Sequence, residues 1–191
     1  MKAVFLRAGA LLLAASLAGC ATNQGGPGAH SGTEVTRFHL GNPIARGQIA
    51  IEAYEPRDSA TPEFRVFADI VARELTRLGW TVVPTTTQSE QVALIDLEQG
   101  SREAVAALSA ARIGRGVAGT APAGASANVT ASLLEVAIRR RSDGTVFWEG
   151  RAVGEAPTGS AEATRTAAVE RLAAALFRDF PGESGRTIRV R

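Results

Sequence analysis

The chain is short of most groups that enzymes use. Its 191 residues include one cysteine (Cys20), two histidines (His30 and His39) and one lysine (Lys2). A single thiol excludes a disulfide framework and a cysteine-rich zinc site. Neither histidine has a second ligand at metal spacing, so both are expected to be structural or solvated. With no lysine after residue 2, a Walker-type phosphate-binding lysine and a Schiff-base lysine are excluded. Aromatic residues make up only 5%. What remains, 45% hydrophobic and 21% charged residues, is the composition of one globular domain.

Long apolar runs are missing too. Ala8 to Leu17 is half the ~20 residues a bilayer-crossing helix needs. It follows a basic start, Met1, Lys2 and Arg7, and so reads as a secretory signal. The segment ends in Leu17-Ala18-Gly19-Cys20, which resembles the lipobox of bacterial lipoproteins. That resemblance implies cleavage between Gly19 and Cys20, a diacylglycerol on the Cys20 thiol and a fatty acid on the new amino group. At ~0.8 kcal/mol per buried methylene, two or three acyl chains anchor a protein durably to a membrane. Ala21 and Thr22 stand where aspartate would resemble an inner-membrane retention mark, so the outer membrane, facing the periplasm, is expected. Loss of residues 1–19 removes Lys2 and Arg7, leaving 19 basic and 19 acidic residues. A neutral mature chain has no field suited to nucleic acid.

Residues 20–32 are rich in glycine and read as a tether; the domain is expected over 33–191. Val35–Leu40 and Gln48–Ala53 read as two strands paired with each other. Thr61 and Pro62 open a helix whose Phe64, Phe67, Ile70, Val71, Leu75 and Leu78 recur at helical spacing up to Gly79. Strands follow at Trp80–Val83 and Val92–Glu98. Residues 101–127 read as a mobile insertion, with a helical turn or two around Val105 and Leu108. Val129–Arg139 and Thr145–Gly154 flank Asp143-Gly144 and predict a long hairpin. Ser160 is the expected cap of a closing helix carrying Val169, Leu172, Ala173, Leu176, Phe177 and Phe180, and Thr187–Val190 the expected edge strand. Strand runs without regular strand–helix alternation predict an α+β two-layer sandwich: a mostly antiparallel sheet with two helices on one face.

The remaining motifs are weak. Gly114-Arg115-Gly116-Val117-Ala118-Gly119 matches G-x-G-x-x-G but has no strand before it or helix after it, so no nucleotide is expected. Ser126 lacks the strand–turn–helix setting of a nucleophile elbow. Asp96 and Glu98, two apart on a strand, share a face and offer a cation or acid–base pair, against the plainer reading of exposed strand charges. Arg139, Arg140 and Arg141 form the one local basic cluster, suited to an anionic surface such as lipid phosphates, against the plainer reading of a solvated hairpin tip. No catalytic residue, metal or cofactor is assigned.

From Val129 onward, the alternating strand, Ser142-Asp143-Gly144-Thr145-Val146-Phe147-Trp148-Glu149-Gly150 and a helix finishing Leu176-Phe177-Arg178-Asp179-Phe180-Pro181 resemble a family of bacterial envelope lipoproteins. That family is domain-of-unknown-function family 4136. Leu78-Gly79-Trp80 and Val92–Glu98 fall in the same order, so the likeness spans most of residues 33–182. It implies a fold and an envelope address, and no catalytic residues. The expected function is a non-enzymatic, membrane-anchored binding module contacting another envelope protein through its sheet edge or the insertion. The alternatives are a carrier holding a lipid or small apolar ligand between sheet and helices, and a hydrolase using Asp96 and Glu98.

Overall fold

A computed structural model of the chain describes residues 32–41, 43–84, 88–113 and 128–191. Seven strands form one sheet in the order β3-β2-β4-β5-β6-β1-β7. They are β1 (Thr33–His39), β2 (Gln48–Ala53), β3 (Thr81–Val82), β4 (Gln91–Gly100), β5 (Val129–Arg140), β6 (Val146–Pro157) and β7 (Thr187–Val190). Three helices join them: α1 (Pro62–Arg77), α2 (Arg102–Ile113) and α3 (Arg165–Leu176). β2 runs parallel to β3 and β4, and the other pairings are antiparallel. α1 supplies the crossover that the parallel β2–β3 pair requires.

The start of α1 follows the sequence reading. The Thr61 hydroxyl accepts a hydrogen bond from the Phe64 amide at 3.1 Å, with Pro62 in the first turn. Its apolar stripe buries Phe67, Ile70, Val71 and Leu75, and the chain leaves the helix through Gly79 at φ +99°. The β5–β6 hairpin closes as expected: Gly144 takes φ +71°, and Asp143 Oδ1 accepts from the Thr145 amide at 2.9 Å.

Helices α1 and α3 lie on one face. There Leu134, Val136, Ile138, Trp148 and Ala152 of the sheet meet Leu75 of α1 and Leu172, Leu176 and Phe177 of the α3 segment, all buried. Trp148 stacks on Phe177 with ring centroids 5.5 Å apart and donates its indole N–H to the Pro181 carbonyl. The architecture is the α+β sandwich that the sequence predicts.

Four expectations are corrected. β1 and β2 do not pair: the edges of β1 are taken by β6 and β7, and the eight residues 40–47 supply no two-residue turn to hold neighbours together. Residues 102–113 form a full helix rather than a turn or two. α2 packs Val105 on Ala131, Leu133 and Val153, the side of the sheet opposite α1 and α3. The rest of that insertion, 114–127, lies outside the described residues. Ser160 makes no cap; a 3-10 turn over Ala161–Ala163 intervenes, and Thr164 caps α3 by accepting from the Ala167 amide. Phe180 falls beyond the end of α3 and edges against Trp80.

One inward position of β1 carries a charge. Strand alternation directs Thr33, Val35 and Arg37 to the helical face, and Arg37 is only 2% exposed. Its Nε donates to the Leu176 carbonyl at 2.9 Å, and its Nη2 donates to Ala175 at 3.1 Å and Arg178 at 2.8 Å. The guanidinium thus satisfies the carbonyls left unpaired at the end of α3. Burial lowers its pKa, and the carboxylate of Asp179 acts in the opposite direction.

Candidate functional site

The sheet face away from α1 and α3 is where the structure places a cleft. Period-2 alternation puts Leu94, Asp96 and Glu98 of β4, Glu135, Ala137 and Arg139 of β5, and Glu149 and Arg151 of β6 on this side. Such a face is commonly flat and open to water. Here Tyr54 and the 3-10 turn after it, the Ala111 end of α2 and the Gly144 end of the hairpin wall it. This open cleft has a volume of about 920 Å³.

Its floor is a cross-strand ion ladder. Arg151 bridges Glu135, directly opposite on β5, at 2.6 Å, and Glu149, two residues along β6, at 2.5 Å. The Arg151 and Glu135 side chains are only 11% and 13% exposed, so solvent screens this pair less than it would a surface pair. Above it, Arg102 at the start of α2 forks onto Glu155, with Nε to Oε1 at 2.6 Å and Nη2 to Oε2 at 2.5 Å. The fork ties α2 to β6, and Glu155 holds the guanidinium pKa above its usual value.

Asp96 and Glu98 do share a face, and both line the cleft; each is already engaged by a neighbouring group. The three arginines of the predicted basic cluster are separated. Arg140 pairs with Asp143 at 2.7 Å. Arg141 lies 3.5 Å from Glu90 and donates to the Ser89 carbonyl at 3.0 Å. Arg139 turns into the cleft instead. His39 is structural: its Nε2 donates to the Gly182 carbonyl at 3.0 Å, and its Nδ1 accepts from the Gly41 amide. Cys20, Gly19, His30, Ser126 and the Gly114–Gly119 motif lie outside the described residues.

Among the described residues no three histidine, cysteine, aspartate or glutamate side chains are grouped to hold a metal ion. None of the described helices is long and apolar enough to cross a membrane. The space between the sheet and α1 and α3, where an apolar ligand would sit in a carrier, is occupied by fully buried side chains including Trp148, Phe177, Leu172 and Leu176.

Sequence reasoning missed the Glu135–Arg151–Glu149 ladder, the Arg102–Glu155 fork and Arg37. The first had a signal, because opposite charges at alternating positions of two strands joined by a known turn fall into register. The second joins residues 53 positions apart and had none.

No family model matches the chain. An uncharacterized protein of Zymomonas mobilis is 27% identical, in an alignment covering 83% of this chain and 80% of that protein. Among solved structures, a PelC dodecamer from Paraburkholderia phytofirmans aligns with a TM-score of 0.43 at 13% identity, over 74% of this chain and 92% of that one. A PDZ domain protein from Parabacteroides distasonis aligns with a TM-score of 0.50 at 13% identity. That match covers 83% of this chain and 39% of the other, and it is a likeness of fold alone.

Proposed function

We propose that this chain is a bacterial lipoprotein, held at the outer membrane by acylated Cys20 and facing the periplasm, whose domain is a non-enzymatic binding module. The lipobox-like Leu17-Ala18-Gly19-Cys20 and the resemblance to family 4136 support the address. The binding reading is carried by one observation: the polar face of the sheet is walled into a cleft of about 920 Å³, within the ~300–1,000 Å³ range of small-ligand sites. The sheet edges offer less. β3 is two residues long, the Ala53 amide on the β2 side is taken by the Ser59 hydroxyl, and β7 offers four residues.

The two halves are tested separately. The native product should weigh residues 20–191 plus diacylglyceryl and acyl groups, and should leave membranes only in detergent. An unmodified full-length mass, or release by salt alone, refutes the anchor. For the module, a photo-crosslinking residue replacing Tyr54 at the cleft wall should trap a partner in cells. One replacing Val66, exposed on α1, should not. Equal trapping, or none at Tyr54, refutes the cleft as the contact surface.

A further inference from the structure

We infer that Arg139 is the anion-receiving group of the cleft, and that its ligand carries a carboxylate or phosphate group. This rests on the reading of the cleft as the binding surface, and not on the lipid anchor. The cleft's other arginines are accounted for: Arg151 by Glu135 and Glu149, and Arg57 by Asp58 at 3.9 Å. Beside Arg139 in the sequence, Arg140 and Arg141 have Asp143 and Glu90. Arg139 has no hydrogen bond or ion pair among the described residues, and its Nε is shut off from water without an acceptor.

Other arginines also have a buried nitrogen with no well-aligned hydrogen bond, but each guanidinium has a partner, which for Arg151 and Arg165 is a carboxylate 2.6 and 2.9 Å from that same Nε. Arg171 has the Glu162 carbonyl. Arg139 is therefore a half-buried charged group: none of its five donors has an acceptor in the described fold, and one of them, the Nε–H, is shut off from water. A buried donor left in that state is costly, and a ligand oxygen removes the cost.

The surroundings define the ligand further. Arg139 lies opposite Val92 on β4 and Val146 on β6, with Ala137 two residues along its own strand. Val92 is buried and Val146 is 41% exposed, so the base of the Arg139 side chain stands between two valines, with Glu149, opposite Ala137 on β6, the nearest carboxylate-bearing position of the cleft floor. Phe38 and Leu94 also line the cleft. Coulombic attraction is stronger there than in water, and the planar fork favours a group presenting two oxygens. Asp96 and Glu98 lie four and six residues beyond Val92 on β4, about 13 and 20 Å along the strand.

The test uses the full chain with Cys20→Ser, which cannot be acylated, titrated in separate arms with hexanoate and with inorganic phosphate while backbone amides are followed by NMR. Saturable shifts centred on Val146 and Ala137 are expected. Arg139→Gln should weaken binding at least about tenfold, the usual worth of a charged hydrogen bond, whereas Arg140→Gln should leave it unchanged. Arg139→Lys, which keeps the charge but loses the fork, should fall between and covers the case in which Arg139→Gln fails to fold. Saturation by hexanoate alone identifies a carboxylate ligand, and saturation by phosphate as well identifies a site for phosphorylated molecules. If neither probe saturates below about 100 mM, or if Arg139→Gln and Arg139→Lys both bind as tightly as the parent, the inference is wrong. Absence of probe binding to the Cys20→Ser parent, with a correct lipid mass and Tyr54 crosslinks in the native protein, would overturn the role of Arg139 alone.

Discussion

Replacing Arg37 by methionine tests how the sheet and α3 hold each other. Methionine keeps most of the aliphatic stem against the core and removes the three hydrogen bonds to the Ala175, Leu176 and Arg178 carbonyls. Each bond to a charged donor contributes ~1.5–3 kcal/mol. The bonds share one desolvated guanidinium, whose burial opposes them, so they do not add in full. The helix-end carbonyls then lack their donor in a dry site, and the expected net loss is ~3–4 kcal/mol, in the range for breaking a buried polar partnership. For a domain of about 160 residues, at ~2–4 °C per kcal/mol, Tm falls by roughly 6–16 °C. Urea unfolding should show the lower midpoint with an unchanged m-value. Arg37→Lys should recover less than half of the loss, because one ammonium cannot reproduce the fork across three carbonyls. A methionine variant within about 1 kcal/mol of the parent, or a lysine variant that restores stability fully, would refute the view that this geometry closes α3.

Three further outcomes follow from the packing and charges. Gly150→Ala sets a Cβ against the Trp148 ring and 2.8 Å from Leu176 Cδ1, so calorimetry should register an overpacking loss of ~1–3 kcal/mol; a neutral result would show that Trp148 can move. Thr164→Ala should cost ~1 kcal/mol by chemical denaturation and Ser160→Ala less than half of that, and the reverse order would place the true cap at Ser160. At the hairpin turn, the Thr145 amide, then the Thr145 side chain and then the Arg140 guanidinium hold the Asp143 pKa below its usual value. A carboxylate depressed in the folded state adds stability above its unfolded pKa of about 3.9 and loses it as pH falls through the folded value. Hydrogen exchange at Thr145 should therefore accelerate, relative to the core, below about pH 4; Asp143→Asn should abolish that pH step, and its persistence would contradict the assignment.

Local chemistry was the readable part of the fold. Thr61-Pro62 with a 3.6-residue apolar stripe, and Asp143-Gly144 between alternating runs, each specify an element without reference to the rest of the chain. The neighbours of β1 were not readable, because β6 and β7 reach it from more than 100 residues away. The cap of α3 was misplaced because Ser160 and Thr164 are both good caps, and only the intervening 3-10 turn separates them. Within the cleft, the shared face of Asp96 and Glu98 follows from alternation, and so does that of Glu135, Ala137 and Arg139. Which arginine of 139–141 lacks a partner was hidden. Glu90, which pairs with Arg141, arrives from a strand end 51 residues earlier. Arg37 did leave a trace: it alternates with Thr33 and Val35, an inward charge on an otherwise half-apolar strand.

The direction of β1 has a consequence for reach. Glu34 pairs with Val153 and His39 with Trp148, so the chain enters the sheet at the end farthest from the Asp143-Gly144 turn. From Gly154, level with that entry, to Gly144 is about 33 Å along β6 and its turn. The 13 residue steps from Cys20 to Thr33 span at most about 43–47 Å. With Cys20 acylated, bringing the hairpin turn down to the lipid headgroups would draw out some three quarters of that contour. If Cys20 is acylated as proposed, the anchored end of the domain is the one opposite the hairpin turn, and the Gly144 end of the cleft meets the leaflet only when most of that contour is drawn out.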